Sequence, residues 1–384
     1  MAIELLHQGF DGLDLAFKAQ LKVPIAGLLA RARDDAATRH EPQLVNLAGH
    51  PVHVLEGGAR GGYRYKCDTG PLGAIWFFKT PSARDPWGVR VSVKSLPLAK
   101  NGIHAVYEEL KAFVAHTCSN YSEEDVSIGR VDYALDFLLD GFVLTPDQFV
   151  MHSRLTRTED RESSEVGRSG RVYSVRIGKM PGQQIAFYDK RSDVLSKSKL
   201  EWWEIWNSNL SLRDLPPICP GNTKNRIWRI EFRAGKHFLK KQKSITSLEE
   251  FLQVGGSLFA EMADGIRYTF PCEDTNRARW PSHPIWSSVQ SHLALGLSEM
   301  MGAISSDRVR EITRSKLIEL LEQQIVGCAA TQLVAMELDD VEVCDQARVV
   351  SDRLIALIQA DPKRFCEKLR AATDRYHFIV SSRV

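Results

Sequence analysis

The stretch GRVDYALDF, Gly129 to Phe137, decides how this chain is read. In extended backbone, successive side chains point to opposite faces. Val131, Tyr133, Leu135 and Phe137 then form one apolar face, and Arg130, Asp132, Ala134 and Asp136 form the other. Such a strand buries one side and displays a row of acids and arginine. RIWRIEFRAG, 226–235, repeats the arrangement, with Trp228, Ile230 and Phe232 opposite Arg229, Glu231 and Arg233. QQIAFYDKR, 183–191, sets Gln184, Ala186, Tyr188 and Lys190 on its more polar face.

Outward from these strands the chain divides in three. Residues 1–45 read as a helical lead-in, with AGLLARARDDAATRH its clearest piece. Residues 46–270 read as an α+β body. It opens with short β-rich runs such as GAIWFFKT and GVRVSVKSL, punctuated by Gly and Pro. Ile103, Val106, Leu110, Phe113 and Val114 then fall at helical spacing. LTPDQFVMHSRL begins like a helix, with Thr145 as cap and Pro146 in the first turn. GRVYSVRIG and QQIAFYDK are two strands joined by the turn signal KMPG, and KLEWWEIWNSNLSL reads as a helix. A boundary near 270–285, at PCEDTNRARWPSHP, precedes an all-α region over 280–384.

Several classes are excluded at once. No apolar run approaches the roughly 20 residues of a membrane span, so no membrane role is expected. MAIELLHQGFDGLD lacks the basic and apolar segments of a signal peptide. The seven cysteines are scattered without a CxxC pair, which fits a reducing cytoplasm better than a disulfide framework or a zinc site. No GxxxxGK[ST] or HExxH occurs. A His-x-His nuclease pair is also missing, His50 and His53 being the nearest approach. Net charge is only +2, yet residues 221–245 hold eight Lys and Arg against Glu231 alone. The charge is consistent either with ordinary solvated faces or with a footprint for a phosphate backbone.

The polar rows suggest chemistry. Carboxylates on neighbouring strands suit a hard divalent cation, which prefers oxygen ligands. Asp132 and Asp136 lie about 13 Å apart along an ideal strand, too far to share one ion unless a bulge intervenes. Asp132 and Glu231 are therefore the expected direct ligands, with Asp136 behind them or paired with an arginine. Tyr188 sits beside Lys190, and a neighbouring cation favours phenolate over phenol. Taken alone, a strand tyrosine more often just packs with its hydroxyl satisfied.

These motifs resemble a family. GRVDYALDF, then IAFYDKR, then IWRIEFRAGKHFLK are similar to segments of the staphylococcal-plasmid initiators of rolling-circle replication. Those belong to the broader Rep_trans, or replication initiation factor, family, which includes relaxases of integrative conjugative elements. The family order is an Arg-x-Asp-x-x-x-Asp-Phe strand, a Gly-containing strand, a strand ending Tyr-(Asp/Asn)-Lys, and Trp-Arg-(Ile/Val)-Glu. Here these are Arg130 to Phe137, Ile177-Gly178, Tyr188-Asp189-Lys190 and Trp228 to Glu231. The resemblance spans roughly residues 85–265.

It implies two TATA-box-binding-protein-like units with curved antiparallel sheets. It also implies Tyr188 as a nicking nucleophile with Lys190 beside it, and Asp132, Asp136 and Glu231 as the site for Mg²⁺ or Mn²⁺. Arg130, Arg176, Arg191, Arg229, Arg233 and Lys236 become the expected DNA contacts. The plasmid proteins usually carry an arginine two residues before the tyrosine. Here that position is Ala186, leaving Arg176 or Arg191 to substitute. The function implied is origin-specific nicking through a 5′-phosphotyrosine, in the cytoplasm, on single- and double-stranded DNA. Two other readings remain: a relaxase acting at an origin of transfer, and a non-catalytic origin-binding regulator. The helical tail, longer than in the plasmid proteins, offers room for a homodimer contact or for recruiting a host helicase.

Overall fold

The structure, a computed structural model, describes residues 3–122, 124–151, 155–161, 170–338 and 342–380. The chain opens with β1 (Glu4–Phe17), β2 (Gln20–Leu21), α1 (Val23–Arg39), β3 (Gln43–Leu47), β4 (His50–Leu55), β5 (Tyr65–Asp68), β6 (Ala74–Phe78) and β7 (Val89–Val93). It continues with α2 (Ser95–Thr117), β8 (Cys118–Ser119), β9 (Val126–Leu138), β10 (Phe149–Met151), β11 (Arg157–Arg161), β12 (Val172–Gly178) and β13 (Gln183–Asp189). After α3 (Lys190–Ser196) and α4 (Glu201–Ser211) come β14 (Ile227–Gly235), α5 (Leu248–Gly265), β15 (Ile266–Tyr268) and α6 (Pro284–Ala294). The last helices are α7 (Ser306–Ala335), α8 (Val343–Ala360) and α9 (Pro362–Arg375).

Eleven strands form one antiparallel sheet in the order β11-β12-β13-β14-β9-β1-β7-β6-β5-β4-β3. The α+β class and the strands read from 172–178, 183–189 and 227–235 are present. The apolar faces named above all point to one side. Behind the outer half of the sheet lie α1 and α2, where Phe113 stacks on Trp76 at 4.2 Å. Behind the other half lie α5 and α6, where Phe232 meets Phe259 at 5.8 Å and Trp286 at 6.3 Å. The opposite, polar side is the front. At one end of it α4 covers the sheet with Trp202 and Trp206, packed against Leu6 and Ile227. The helix expected from Ile103 begins after Gly102, whose φ of 76° breaks the preceding turn of α2. The freed N–H of Ile103 donates to the Glu299 carboxylate at 3.0 Å.

Three expectations need correction. The lead-in over 1–45 is not helical at its start, because residues 4–17 form β1 in the middle of the sheet. Only its second part alternates, with Leu13, Leu15 and Phe17 buried. Leu6, His7, Gln8, Gly9 and Phe10 are all buried, since helices cover both faces there, and the period of two disappears. The helix expected from Thr145 is a single 3₁₀ turn, Pro146–Gln148, after which Phe149–Met151 pairs with Ile266–Tyr268. The end of that expected helix, at 152–154, lies outside the described residues.

The boundary near 270–285 also moves. Ile285, Trp286, Val289 and Leu293 of α6 sit in the main core. Tyr133 donates its hydroxyl to the Ser298 carbonyl at 2.5 Å, and the Met300 N–H donates to the Gln8 carbonyl at 2.8 Å. The body thus runs to about 305, and the loop that resembles a linker is stitched in by a bridge between Thr269 and Ser282. The helices α7 to α9 form an arm with many exposed apolar side chains, Ile325 and Leu357 among them. The arm returns to the far edge of the sheet. There Arg375 pairs with Glu41, and Phe378 lies edge-on to His53 at 4.9 Å. Among the described residues no helix is long and apolar enough to cross a membrane.

Candidate active site

The strand register assembles the front face as three successive rungs. The first joins Gln184, Arg233, Asp132 and Gly12. The second joins Arg176, Ala186, Glu231, Ala134 and Gly9. The third joins Ser174, Tyr188, Arg229, Asp136 and His7. Residues far apart in sequence become neighbours because five antiparallel strands place their polar sides together. They line a cleft of about 810 Å³ that includes Asp14, Arg130, Asp132, Arg176, Tyr188, Glu231 and Arg233.

Tyr188 is half-buried, and its hydroxyl donates to Glu231 Oε2 at 3.2 Å. Burial and the Glu231 charge hold the phenol well above its ordinary pKa. This overturns the expectation that Lys190 would favour phenolate. Lys190 has left the strand and opens α3. Its ammonium lies 3.4 Å from Asp193 and over the rings of Trp202 and Tyr188, at 4.8 and 5.9 Å. Burial and nearby Arg229 lower its pKa. Asp189, between the two, caps α3 by accepting from the Ser192 N–H at 2.9 Å and binds Arg171 at 2.6 Å. Of the Tyr-Asp-Lys triplet, Tyr188 is the residue that sets a hydroxyl against Glu231 in the cleft.

Two carboxylates sit side by side beneath the cleft. Asp132, 3% exposed, is gripped by Arg130 at 2.8 Å through Nε and 2.5 Å through Nη2. Glu231, equally buried, is gripped by Arg233 at 2.7 and 2.9 Å. Burial and the Glu231 charge push Asp132 up to about 7. Gly12 makes the close packing possible, since a Cβ there would lie 2.8 Å from Asp132 Oδ2.

Asp136 takes no part in this pair. It is fully buried, chelates Arg229 at 2.6 and 2.8 Å, and accepts from the Trp206 indole at 2.8 Å. Arg229 also reaches Asp11 at 2.5 Å and has no exposed surface. It is therefore a structural cation under the cleft and not the DNA contact expected of it. Asp11 and Asp136 are held below the usual carboxylate range because Arg229 outweighs the opposing effect of burial. Arg191 is likewise turned away, donating to the Pro220 carbonyl at 2.8 Å outside the cleft. Lys236 is exposed beyond the end of β14 and does not line the cleft. Arg176 does line it, directly across from Ala186, and pairs with Asp160 at 2.9 Å.

The metal expectation can be tested against this donor set. Among the described residues no three His, Cys, Asp or Glu side chains gather as a ligand cluster. Asp132 and Glu231 do form an adjacent buried pair whose mutual repulsion raises Asp132. That pair suits an ion such as Mg²⁺, which is commonly held by one or two carboxylates with water and substrate phosphate completing the shell.

Sequence reasoning missed β1 altogether, and with it Asp11, Gly12 and Asp14. Their signal was the alternation of Gly12, Asp14 and Ala16 with Leu13, Leu15 and Phe17. Asp11 escapes even that pattern because the register slips between Phe10 and Gly12, a bulge that adds a residue to the strand.

No protein-family model matches the chain. The sequence is 24% identical over 249 residues to the uncharacterised protein ORF430 of Pseudomonas phage Pf1, covering 60% of this chain and 53% of that protein. The chain thus spans about half the length of that relative. Among solved structures it is similar to a rolling-circle replication initiator protein from Geobacillus stearothermophilus. That match has a TM-score of 0.41 and 13% identity, over 78% of this chain and 100% of the other.

Proposed function

We propose that this protein is a metal-assisted DNA-nicking enzyme that initiates rolling-circle replication through a covalent bond between Tyr188 and a DNA 5′-phosphate. The observation that carries the reading is the Tyr188 hydroxyl on Glu231, beside Asp132, in an open cleft framed by arginines. The four ordered motifs of the replication initiation factor family support it. We read the two halves of the sheet, each backed by its own helix pair, as the two TATA-box-binding-protein-like units that resemblance implies.

The chemistry follows from the positions. Arg130, Arg233 and Arg176 border the cleft and bind and orient the scissile phosphate. Arg176 reaches the site from the strand beside Ala186 and supplies the charge that the family places there. Tyr188 Oη attacks phosphorus as its proton passes to Glu231 Oε2. The Oη–P bond forms, the P–O3′ bond breaks, and the leaving oxygen takes a proton from solvent to become the 3′-OH primer. Asp132 and Glu231 would hold a Mg²⁺ or Mn²⁺ ion, which when bound neutralises charge on the phosphate oxygens. The phosphotyrosine keeps the bond energy, so a later 3′-OH can reverse the step.

The test is to incubate the protein with Mg²⁺ and the supercoiled replicon that encodes it, then identify nucleotide-bearing peptides by mass spectrometry. The expected product is an adduct on the peptide containing Tyr188. An adduct on another tyrosine, or intact supercoiled DNA, overturns the proposal.

A further inference from the structure

Beyond the cleft the front face continues over β1, β7 and β6, and there it alternates aromatic rings with cations. Arg90 on β7 lies 3.6 Å from Asp14, which lines the cleft, and 5.0 Å from the ring of Phe77 on β6. Phe77 meets Tyr63 at 6.3 Å. Lys79 stands 4.6 Å over Tyr63, whose hydroxyl donates to the Trp87 carbonyl at 3.1 Å. The Trp87 ring is flanked by Lys18 at 5.4 Å and Lys240 at 5.7 Å. Lys240 reaches back to the Ser127 hydroxyl, and Ser127 shares a rung with Ala16 and Arg90. The row therefore closes on itself and adjoins the cleft at Asp14 and Arg130. Burial, and after it the charge of nearby Lys236, which fell outside the cleft, lower the pKa of Lys240.

We infer that this row is a second nucleic-acid surface, a track for the single DNA strand that continues from the scissile phosphate. The inference rests on the nicking reading for the identity of the strand, and on the row itself for the mode of binding. Phosphates need cations, and Arg90, Arg130, Lys18, Lys236 and Lys240 supply them. The half-exposed ring of Trp87 between Lys18 and Lys240 is what an unpaired base stacks upon, with the ammonium groups adding cation–π attraction, while the buried rings of Phe77 and Tyr63 underlie Arg90 and Lys79. A duplex hides its base faces and would leave the Trp87 ring without a use. The aromatic content is thus what selects a single strand. Asp14 and Asp125 pair with Arg90 and Lys18 at rest, so incoming phosphates exchange with protein carboxylates and binding is salt-sensitive.

The experiment uses full-length Tyr188→Phe protein, which cannot form the covalent link, and a fluorescently labelled oligothymidylate read by anisotropy across a salt series. Trp87→Ala is expected to weaken binding at least about fivefold, the lower end for losing one stacked base. Lys240→Gln is expected to weaken it and to flatten the log–log salt slope by about 0.7, while Lys240→Arg restores the slope. Lys363→Gln, on the distant arm, should match the parent. The inference is overturned if Trp87→Ala and Lys240→Gln bind like the parent. It is also overturned if a duplex of equal length binds as tightly and is weakened equally by Trp87→Ala. Failure of the nicking reading shows separately, as absence of an adduct on Tyr188 in the unmutated protein while the oligonucleotide still binds through Trp87 and Lys240.

Discussion

Tyr188 and Glu231 lie on adjacent strands, one rung apart, and the phenolic hydroxyl of the first points at Oε2 of the second across 3.2 Å. The tyrosine is thus placed with an acceptor for its proton already in line. Arg233 donates to both oxygens of that carboxylate, so Glu231 cannot swing away without losing two charge-assisted bonds.

Removing either partner should stop covalent chemistry, but in different ways. Tyr188→Phe should abolish the adduct entirely while costing about 1 kcal/mol or less of stability, the net value of one hydrogen bond. Glu231→Gln should retain the nucleophile but lose both its proton acceptor and one of the two proposed metal-holding carboxylates, slowing nicking by at least about 10²–10⁴. Single-turnover nicking assays with circular dichroism melts of both variants check this. A Glu231→Gln protein that nicks at the parental rate would show that the proton goes elsewhere.

Asp132 makes stability depend on pH in a distinctive direction. Its folded pKa of about 7 lies above the ordinary aspartate value of about 3.9. The folded state therefore holds the extra proton, and the associated stability is present below about pH 4 and lost as pH rises through 7. His7, lowered to about 4 by burial, works in the opposite direction between about 4 and 6.5, so the pH profile of the parent alone mixes the two. The difference between parent and Asp132→Asn isolates the aspartate. The asparagine variant should gain about 2 kcal/mol on the parent between pH 5 and pH 8. Mg²⁺ should raise the melting temperature of the parent more at pH 8 than at pH 5, because an ionised carboxylate is the better ligand. That pH-dependent effect of Mg²⁺ should not survive in Asp132→Asn. Equal Mg²⁺ shifts in both proteins would remove Asp132 from the metal site.

Gly12 offers a test that replaces no charged group. A methyl at this position would approach Asp132 Oδ2 to 2.8 Å and must displace it, since the backbone of β1 is fixed by neighbours on both sides. Gly12→Ala should destabilise by about 1–3 kcal/mol, the range for overpacking. It should also reduce the Mg²⁺-induced rise in melting temperature. An alanine variant with parental stability and parental Mg²⁺ response would show that the carboxylate pair tolerates separation.

The parts of the site that could be read from sequence are those on strands whose residue types alternate between apolar and polar, although both faces of β9 and β14 are largely buried. Asp132, Glu231 and Tyr188 stood out because Val131, Phe232 and Phe187 beside them alternate cleanly. Asp11 and Gly12 did not, because β1 is buried on both faces through Phe10 and then bulges. Facing alone also could not separate Arg229 from Arg233, which share one side of β14. What separates them is the cover: α4 lays Trp202 4.3 Å from the Arg229 guanidinium, whereas Arg233 stays at the open cleft. Lys190 was misplaced for a similar reason, since nothing in the residue pattern marks Asp189 as the point where strand becomes helix until its capping bond is seen.

The two kinds of arginine predict opposite phenotypes. Arg229 is buried between Asp11 and Asp136, so Arg229→Gln leaves two carboxylates without their counter-charge in a desolvated site. Loss of one partner from a buried ion pair costs about 3–5 kcal/mol, and a large fall in melting temperature is expected. Arg176 is 42% exposed and pairs with a partly exposed Asp160, an arrangement worth about 0–1 kcal/mol. Arg176→Gln should melt like the parent. It should bind single-stranded DNA more weakly, with the salt slope reduced by about 0.7 for the lost phosphate contact. Arg229→Gln that remains folded at low temperature should keep the parental slope, because its guanidinium never meets solvent. The assignment fails if the two slopes exchange, with Arg229→Gln flattening the salt dependence and Arg176→Gln leaving it intact. That outcome would mean that the triad opens when DNA arrives and that the buried arginine is the one that meets the phosphate.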